Sequence, residues 1–378
     1  MNVQTVSKGE ITNLLNNWYQ SIISQHVLKS TNYKKEIDSK IHQIEEDQNI
    51  LIYYSLLDFR YKLLTHDVNN YKDSLEKINR IPDQADVFLK YYHSFFKAIY
   101  SINMGDYTSA KEQYEEAESL LKDIPDEIEI AEFNYMFGSF HYHIYQPLPA
   151  IKYTTKAKEL FSKHTGYEIK VAACNNTLGL ACTSLGQYES AEEHFLAALN
   201  TFNKHNEDKL SAKVKHNLGL LYADQNLSEL AIKYLNGSLV NNQKTLFLLA
   251  QEYFKLNDTK TVRLHIENGL NISNEEYTHH FNILKGLNDN ISTDELEDII
   301  LAGICYFKKE ELWKYVKDYS AVLGNKFYEL KSYEKASKYL HMTNEADKKG
   351  FRERSFKIMK KISINFRYCH RFFIFQLQ

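Results

Sequence analysis

Residues 179–191 read GLACTSLGQYESA, and three other stretches follow the same plan: AIYSINMGDYTSA at 98–110, GSFHYHIYQPLPA at 138–150 and GLLYADQNLSELA at 219–231. A small residue opens each stretch, Ala closes it twelve positions later, and the closing alanines stand 40 or 41 residues apart. Two degenerate copies follow, AQEYFKLNDTKTV at 250–262 and GNKFYELKSYEKA at 324–336. A period of this length marks a helical-hairpin repeat, in which small residues let paired helices approach and Tyr and Leu fill the gaps.

Composition agrees with an all-α chain. The 378 residues contain 13 glycines and four prolines, and no proline follows Pro149, which leaves few turn residues for tightly turned strands. The net charge of −3 argues against a globally basic nucleic-acid binder. Cys174, Cys182, Cys305 and Cys369 show no C-x-x-C spacing, so reduced thiols are expected. The N-terminus lacks a signal-peptide layout, and no stretch approaches the ~18 apolar residues that span a bilayer. A soluble, cytoplasmic protein is expected.

Before the repeats, apolar residues recur at helical spacing: Ile11, Leu14, Leu15, Trp18 and Tyr19; Ile37, Ile41 and Ile44; Leu51, Tyr54, Leu57 and Tyr61. Three amphipathic helices predict a bundle over 1–68. A polar stretch with the first proline predicts a linker over 69–89, ahead of a repeat domain over 90–349. Residues 350–378 form a basic, aromatic tail that suits an anionic partner or, as expected here, a terminal helix packed on the last repeat.

The hairpin stretches resemble tetratricopeptide repeats, with Gly or Ala, then Tyr, then Ala at matching positions. Their spacing exceeds the usual 34 residues, as longer helices require. A solenoid of such repeats presents a concave groove suited to an extended peptide.

No self-contained active site is visible. His141 and His143 point to different faces of a helix, His279 and His280 are adjacent, and neither pair has metal-binding spacing. No phosphate-cradling glycine motif and no G-x-S-x-G elbow occur. A metal or nucleotide cofactor of the protein's own is not expected. One stretch stands out: Glu45, Glu46, Asp47 and Gln48 lie together at the edge of an apolar run. Residue type alone reads this as a loop whose members cap the third bundle helix.

The wider string IEEDQNILIYYSLLDFRY at 44–61, with NWY at 17–19 and IPDEIEIAEF at 124–133, resembles the Rap family of response-regulator aspartate phosphatases and response-regulator inhibitors of spore-forming Gram-positive bacteria. The resemblance covers residues 10–345. It implies that the bundle and neighbouring repeats grip a response regulator, with Gln48 beside the regulator's phosphoaspartate. Glu46, Asp47, Leu51 and Phe59 then stand at regulator-contact positions. A neutral amide suits the role, because it can hold a water by donating and accepting hydrogen bonds, whereas a carboxylate would repel phosphoryl oxygens. The Mg²⁺ would belong to the partner.

The resemblance also implies that a short, secreted and re-imported signalling peptide binds the repeat groove and abolishes regulator binding. Asn217 would hold peptide main chain and Lys213, one turn earlier, would meet a carboxylate. Asn176 is a further candidate, and Ser184 stands where some members carry an acidic residue. For Asn217, an inter-helix hydrogen bond within the solenoid is the competing reading. Two other functions stay open: a non-catalytic inhibitor that sequesters a regulator's DNA-binding domain, and a transcriptional regulator. The second lacks a short Gly-containing turn and a basic recognition helix in the first ~65 residues.

Overall fold

The computed structural model describes residues 7–44, 47–65, 86–103, 106–238, 242–310 and 312–349. Among these residues there are helices and turns but no strand, so the expected all-α architecture is what the chain adopts. Most of the expected linker and the whole basic tail lie outside the described residues. The chain divides into two compact units, Met1–Leu221 and Tyr222–Gln378.

In the first unit, Ser7 starts α1 (Lys8–Ile23) by accepting a hydrogen bond from the Glu10 amide at 3.2 Å. Helix α2 (Val27–Lys40) runs into a single 3-10 turn, Ile41–Ile44, and α3 (Gln48–Thr65) follows. The three helices close around Trp18, which is fully buried. Its Nε1 donates to Ser30 Oγ at 3.1 Å, and its ring lies 5.8 Å from those of Tyr54 and Tyr61. Truncating so central a ring to Ala typically costs about 3–5 kcal/mol.

The repeats follow as α4 (Val87–Asn103) with α5 (Tyr107–Leu121), α6 (Glu127–His143) with α7 (Pro147–Phe161), and α8 (Glu168–Ser184) with α9 (Tyr188–Lys204). Helix α10 (Asp208–Asp224) runs across the division between the units. The start of α4 at Val87 falls inside the stretch read as linker. The bundle and the first repeats share one unit and one apolar core, which extends from Ile11 to Cys174.

Among the described residues, five of the hairpins turn by the same device. The eighth position of a repeat stretch is left-handed, with φ of 58° at Tyr145, 72° at Gly186, 58° at Asn226, 59° at Asn257 and 59° at Lys331. The next amide then bonds back five residues: Gln146 to the His141 carbonyl at 2.9 Å, Gln187 to Cys182 at 3.0 Å, Leu227 to Tyr222 at 2.9 Å, Asp258 to Tyr253 at 3.0 Å and Ser332 to Phe327 at 2.9 Å. This is the Schellman closure, which satisfies carbonyls left over at a helix end. Glycine is the unstrained choice for it, yet only Gly186 among these five uses one.

The small opening residues act as expected, as does Tyr222, which is buried and stacked on Tyr234 of the second helix, but Tyr107 and Tyr333 do not. A Cβ on Gly138 would meet Thr154, one on Gly179 the Phe195 ring at 2.6 Å, and one on Gly324 the Leu340 side chain at 2.8 Å. The residue sixteen positions on, in the second helix of the pair, therefore fills each gap. Tyr107 and Tyr333 instead begin their helices exposed, at 41% and 59%. At the first turn of a helix a side chain sits beyond the close crossing, so it cannot reach the seam.

The second unit holds α11 (Ser228–Asn236), α12 (Gln243–Lys255), α13 (Thr259–Leu270), α14 (Glu275–Asn288), α15 (Thr293–Lys309), α16 (Trp313–Glu329) and α17 (333–349). Ser292 and Glu295 form a reciprocal capping box at the start of α15. His280 is buried among Phe247, Phe307, Tyr315 and Tyr319 and shares a 2.6 Å hydrogen bond with the Tyr319 hydroxyl. Burial pushes its imidazole down to about 4.

Candidate functional site

Gln48 is the first residue of α3 and is exposed. It follows Asp47, whose Oδ1 accepts from the amides of Asn49 at 3.1 Å and Ile50 at 3.2 Å. Asp47 therefore caps α3, the role that residue type alone suggests. Its Oδ2 lies 2.5 Å from Lys8 Nζ, and that contact foremost holds the carboxyl below its ordinary range. Glu46 lies outside the described residues.

The two apolar positions differ. Leu51, one turn from Gln48, is partly buried against the core. Phe59 is completely buried, its ring 6.3 Å from that of Tyr100 in α4. Phe59, which the resemblance implies as a regulator contact, shares the face of α3 that packs on α4, so in this conformation it is core.

Next to Phe59 lies a polar seam that sequence reading missed. Arg60 donates from Nη2 to Glu132 Oε1 at 2.6 Å, and Lys170 Nζ reaches Glu132 Oε2 at 2.7 Å. Side-chain exposures of 8%, 0% and 4% for Arg60, Glu132 and Lys170 put the triad in the interior. It joins α3, α6 and α8. The Arg60 guanidinium also lies 5.3 Å from the Phe96 ring centre, and Lys170 lies 4.9 Å from that of Tyr135. One turn before Glu132, buried Glu129 accepts hydrogen bonds from Tyr91 at 2.6 Å and Tyr92 at 3.0 Å. Burial raises its carboxyl to about 7. Farther along the seam, Tyr167 before α8 donates to Gln20 of α1 at 2.5 Å. The available signal was the string IEIAEF at 128–133, which places two acids three apart on an otherwise apolar face.

The groove candidates lie on α8 and α10. Asn217 Nδ2 donates to Asn176 Oδ1 at 2.8 Å, which brings two candidates together as partners. The competing reading of Asn217, an inter-helix bond within the solenoid, is thus the geometry observed. Lys213, one turn before Asn217, is exposed. Ser184 is exposed too, and its hydroxyl donates to the Leu180 carbonyl of its own helix at 3.0 Å. Among the described residues no group of His, Cys, Asp or Glu is arranged to hold a metal, and no helix is long and apolar enough to cross a membrane.

The fold is of the class in which a helical bundle packs on the first hairpins of a helical-repeat array. The family model described as response regulator aspartate phosphatase H, N terminal, matches residues 5–66, and a tetratricopeptide-repeat model matches 150–239. The regulatory protein RapG of Bacillus subtilis (strain 168) is 31% identical over 259 residues, which span 66% of this chain and 71% of RapG. Response regulator aspartate phosphatase I of the same organism is 27% identical over 359 residues, 90% of this chain and 91% of the relative. The solved apo form of RapI has a TM-score of 0.69 at 26% identity, covering 90% of this chain and 98% of that one. A Rap protein complexed with competence and sporulation factor shares the fold, with a TM-score of 0.73 at 21% identity over 93% of this chain and all of the other. The chain belongs to the Rap family.

Proposed function

We propose that this protein binds a phosphorylated response regulator, promotes hydrolysis of its aspartyl phosphate through Gln48, and is inhibited by a short signalling peptide in the repeat groove. The observation that carries the reading is the position of Gln48. It is exposed at the head of α3, and among the described residues its amide has no hydrogen-bond partner. Relatives named as response regulator aspartate phosphatases support it.

The chemistry asks little of this chain. The oxygen of a water forms a bond to phosphorus as the bond to the aspartyl oxygen breaks, releasing a carboxylate and inorganic phosphate. The Gln48 amide orients that water by accepting a hydrogen bond from it through Oε1 and donating one toward the phosphoryl group through Nε2. The nucleophile's in-line approach is a positioning problem, so a single well-placed amide suffices. The phosphorylated aspartate and the Mg²⁺ that neutralises the phosphoryl charge belong to the regulator. In the groove, Asn176, Asn217 and Lys213 are the residues that would meet peptide main chain and a carboxylate.

The test is loss of ³²P from a phosphorylated response regulator with Mg²⁺, with and without this protein. Acceleration that vanishes in Gln48→Ala supports the reading. No acceleration, with tight binding to a regulator's DNA-binding domain, replaces it with the sequestering inhibitor, a reading favoured by relatives named only as regulatory proteins.

A further inference from the structure

We infer that Lys8 is a positioning residue for Gln48, acting through Asp47; the inference rests on the reading of Gln48 above. Asp47 divides its carboxylate between two tasks. Oδ1 accepts from the Asn49 and Ile50 amides at 3.1 and 3.2 Å and fixes the first turn of α3. Oδ2 meets Lys8 Nζ at 2.5 Å, which ties that turn to the head of α1. Lys8 is anchored in its turn, because it is the first residue of a helix that Ser7 caps through the Glu10 amide. Farther along, Tyr53 of α3 donates to Asn16 Oδ1 of α1 at 3.3 Å. The two helices are pinned at two levels, and exposed Gln48 is the residue that follows one of these pins.

Charge gives Lys8 a second effect. An aspartate immediately before Gln48 would repel an incoming phosphoryl group. The ammonium at hydrogen-bond distance offsets that charge and leaves the neutral amide as the group presented. Lys8 Nζ has an exposed side chain, at 71%, so the ion pair contributes little to global stability. Its effect falls on placement, where a small displacement of a catalytic group is costly.

The test compares the full-length chain with Lys8→Ala, Lys8→Arg and Gln48→Ala, using single-turnover ³²P loss from a phosphorylated receiver domain and, separately, receiver affinity. Expected is a fall of about tenfold in rate for Lys8→Ala with unchanged affinity and unfolding midpoint, and recovery in Lys8→Arg. Wild-type rate in Lys8→Ala with an inactive Gln48→Ala overturns the role of Lys8 and leaves that of Gln48. Loss of affinity in place of rate also overturns it, making Lys8 a docking contact. Full activity in Gln48→Ala, or none in the unaltered chain, removes the underlying reading instead.

Discussion

The Arg60 guanidinium and the Glu132 carboxylate meet at 2.6 Å with the acid wholly out of solvent, and Lys170 takes the acid's other oxygen. One carboxylate thus balances two buried cations from two other helices. Replacing Glu132 by Ala leaves both cations unpaired, so unfolding by urea should show a loss of about 3–5 kcal/mol. Glu132→Ala combined with Arg60→Met and Lys170→Met should recover much of it. If the single variant is as stable as the parent, the triad is not a buried, matched set.

Glu129 gives stability a pH dependence of definite sign. Below pH 4.5 its carboxyl is protonated folded or unfolded; between 4.5 and about 7 only the unfolded chain ionises it. Its contribution is therefore present in acid and lost as pH rises through that window. His280 acts oppositely: its ordinary value of 6.5 drops to about 4, so its contribution is present above 6.5 and lost toward acid. Urea midpoints taken from pH 4 to 8 should rise with pH for Glu129→Gln relative to the parent, and rise toward acid for His280→Gln.

The left-handed turn position yields a pair of opposite effects. Lys331→Gly removes a Cβ from a φ of 59°, and a gain of about 1 kcal/mol is expected. Gly186→Ala adds one at a φ of 72°, and a loss of similar size, about 1 kcal/mol, is expected. Thermal unfolding of both variants checks the sign.

A Cβ at Gly179 would sit 2.6 Å from the Phe195 ring. Gly179→Ala should cost about 1–3 kcal/mol by overpacking. Adding Phe195→Leu should relieve part of the cost, and additivity of the two losses would show that the contact is not the cause.

The amide pair in the groove predicts coupling. Asn176→Ala and Asn217→Ala should each weaken binding of an inhibitory peptide, and the double variant should lose less than the sum of the two. Fluorescence anisotropy of a labelled peptide measures it. Independent losses would mean that the asparagines act separately.

The solenoid was legible because a repeat writes its geometry many times over. Closing alanines 40 or 41 residues apart announce the hairpins, and the small residues at 138, 179 and 324 announce their close crossings. The capping role of Asp47 was equally local, since a cap is read within one turn. What escaped was long-range. Arg60 and Glu132 are 72 residues apart, and a charged residue on an amphipathic helix reads as solvent-facing until a second helix covers it. The burial of Phe59 escaped for the converse reason: periodicity says which face a side chain shares, not whether another helix lies on it. The Asn176–Asn217 bond spans 41 residues, a single repeat period, so the spacing itself held the signal.

That bond fixes the orientation of both side-chain amides before any ligand arrives. The bond uses one Nδ2 hydrogen of Asn217 and one lone pair of Asn176 Oδ1, so under the proposed function a peptide main chain can meet the second Nδ2 hydrogen and the Oδ1 of Asn217 and the Nδ2 of Asn176 with the bond intact. Held to each other, the two amides would present their remaining donors and acceptor in one fixed arrangement, which under the proposed function makes the pair a discriminator of backbone register.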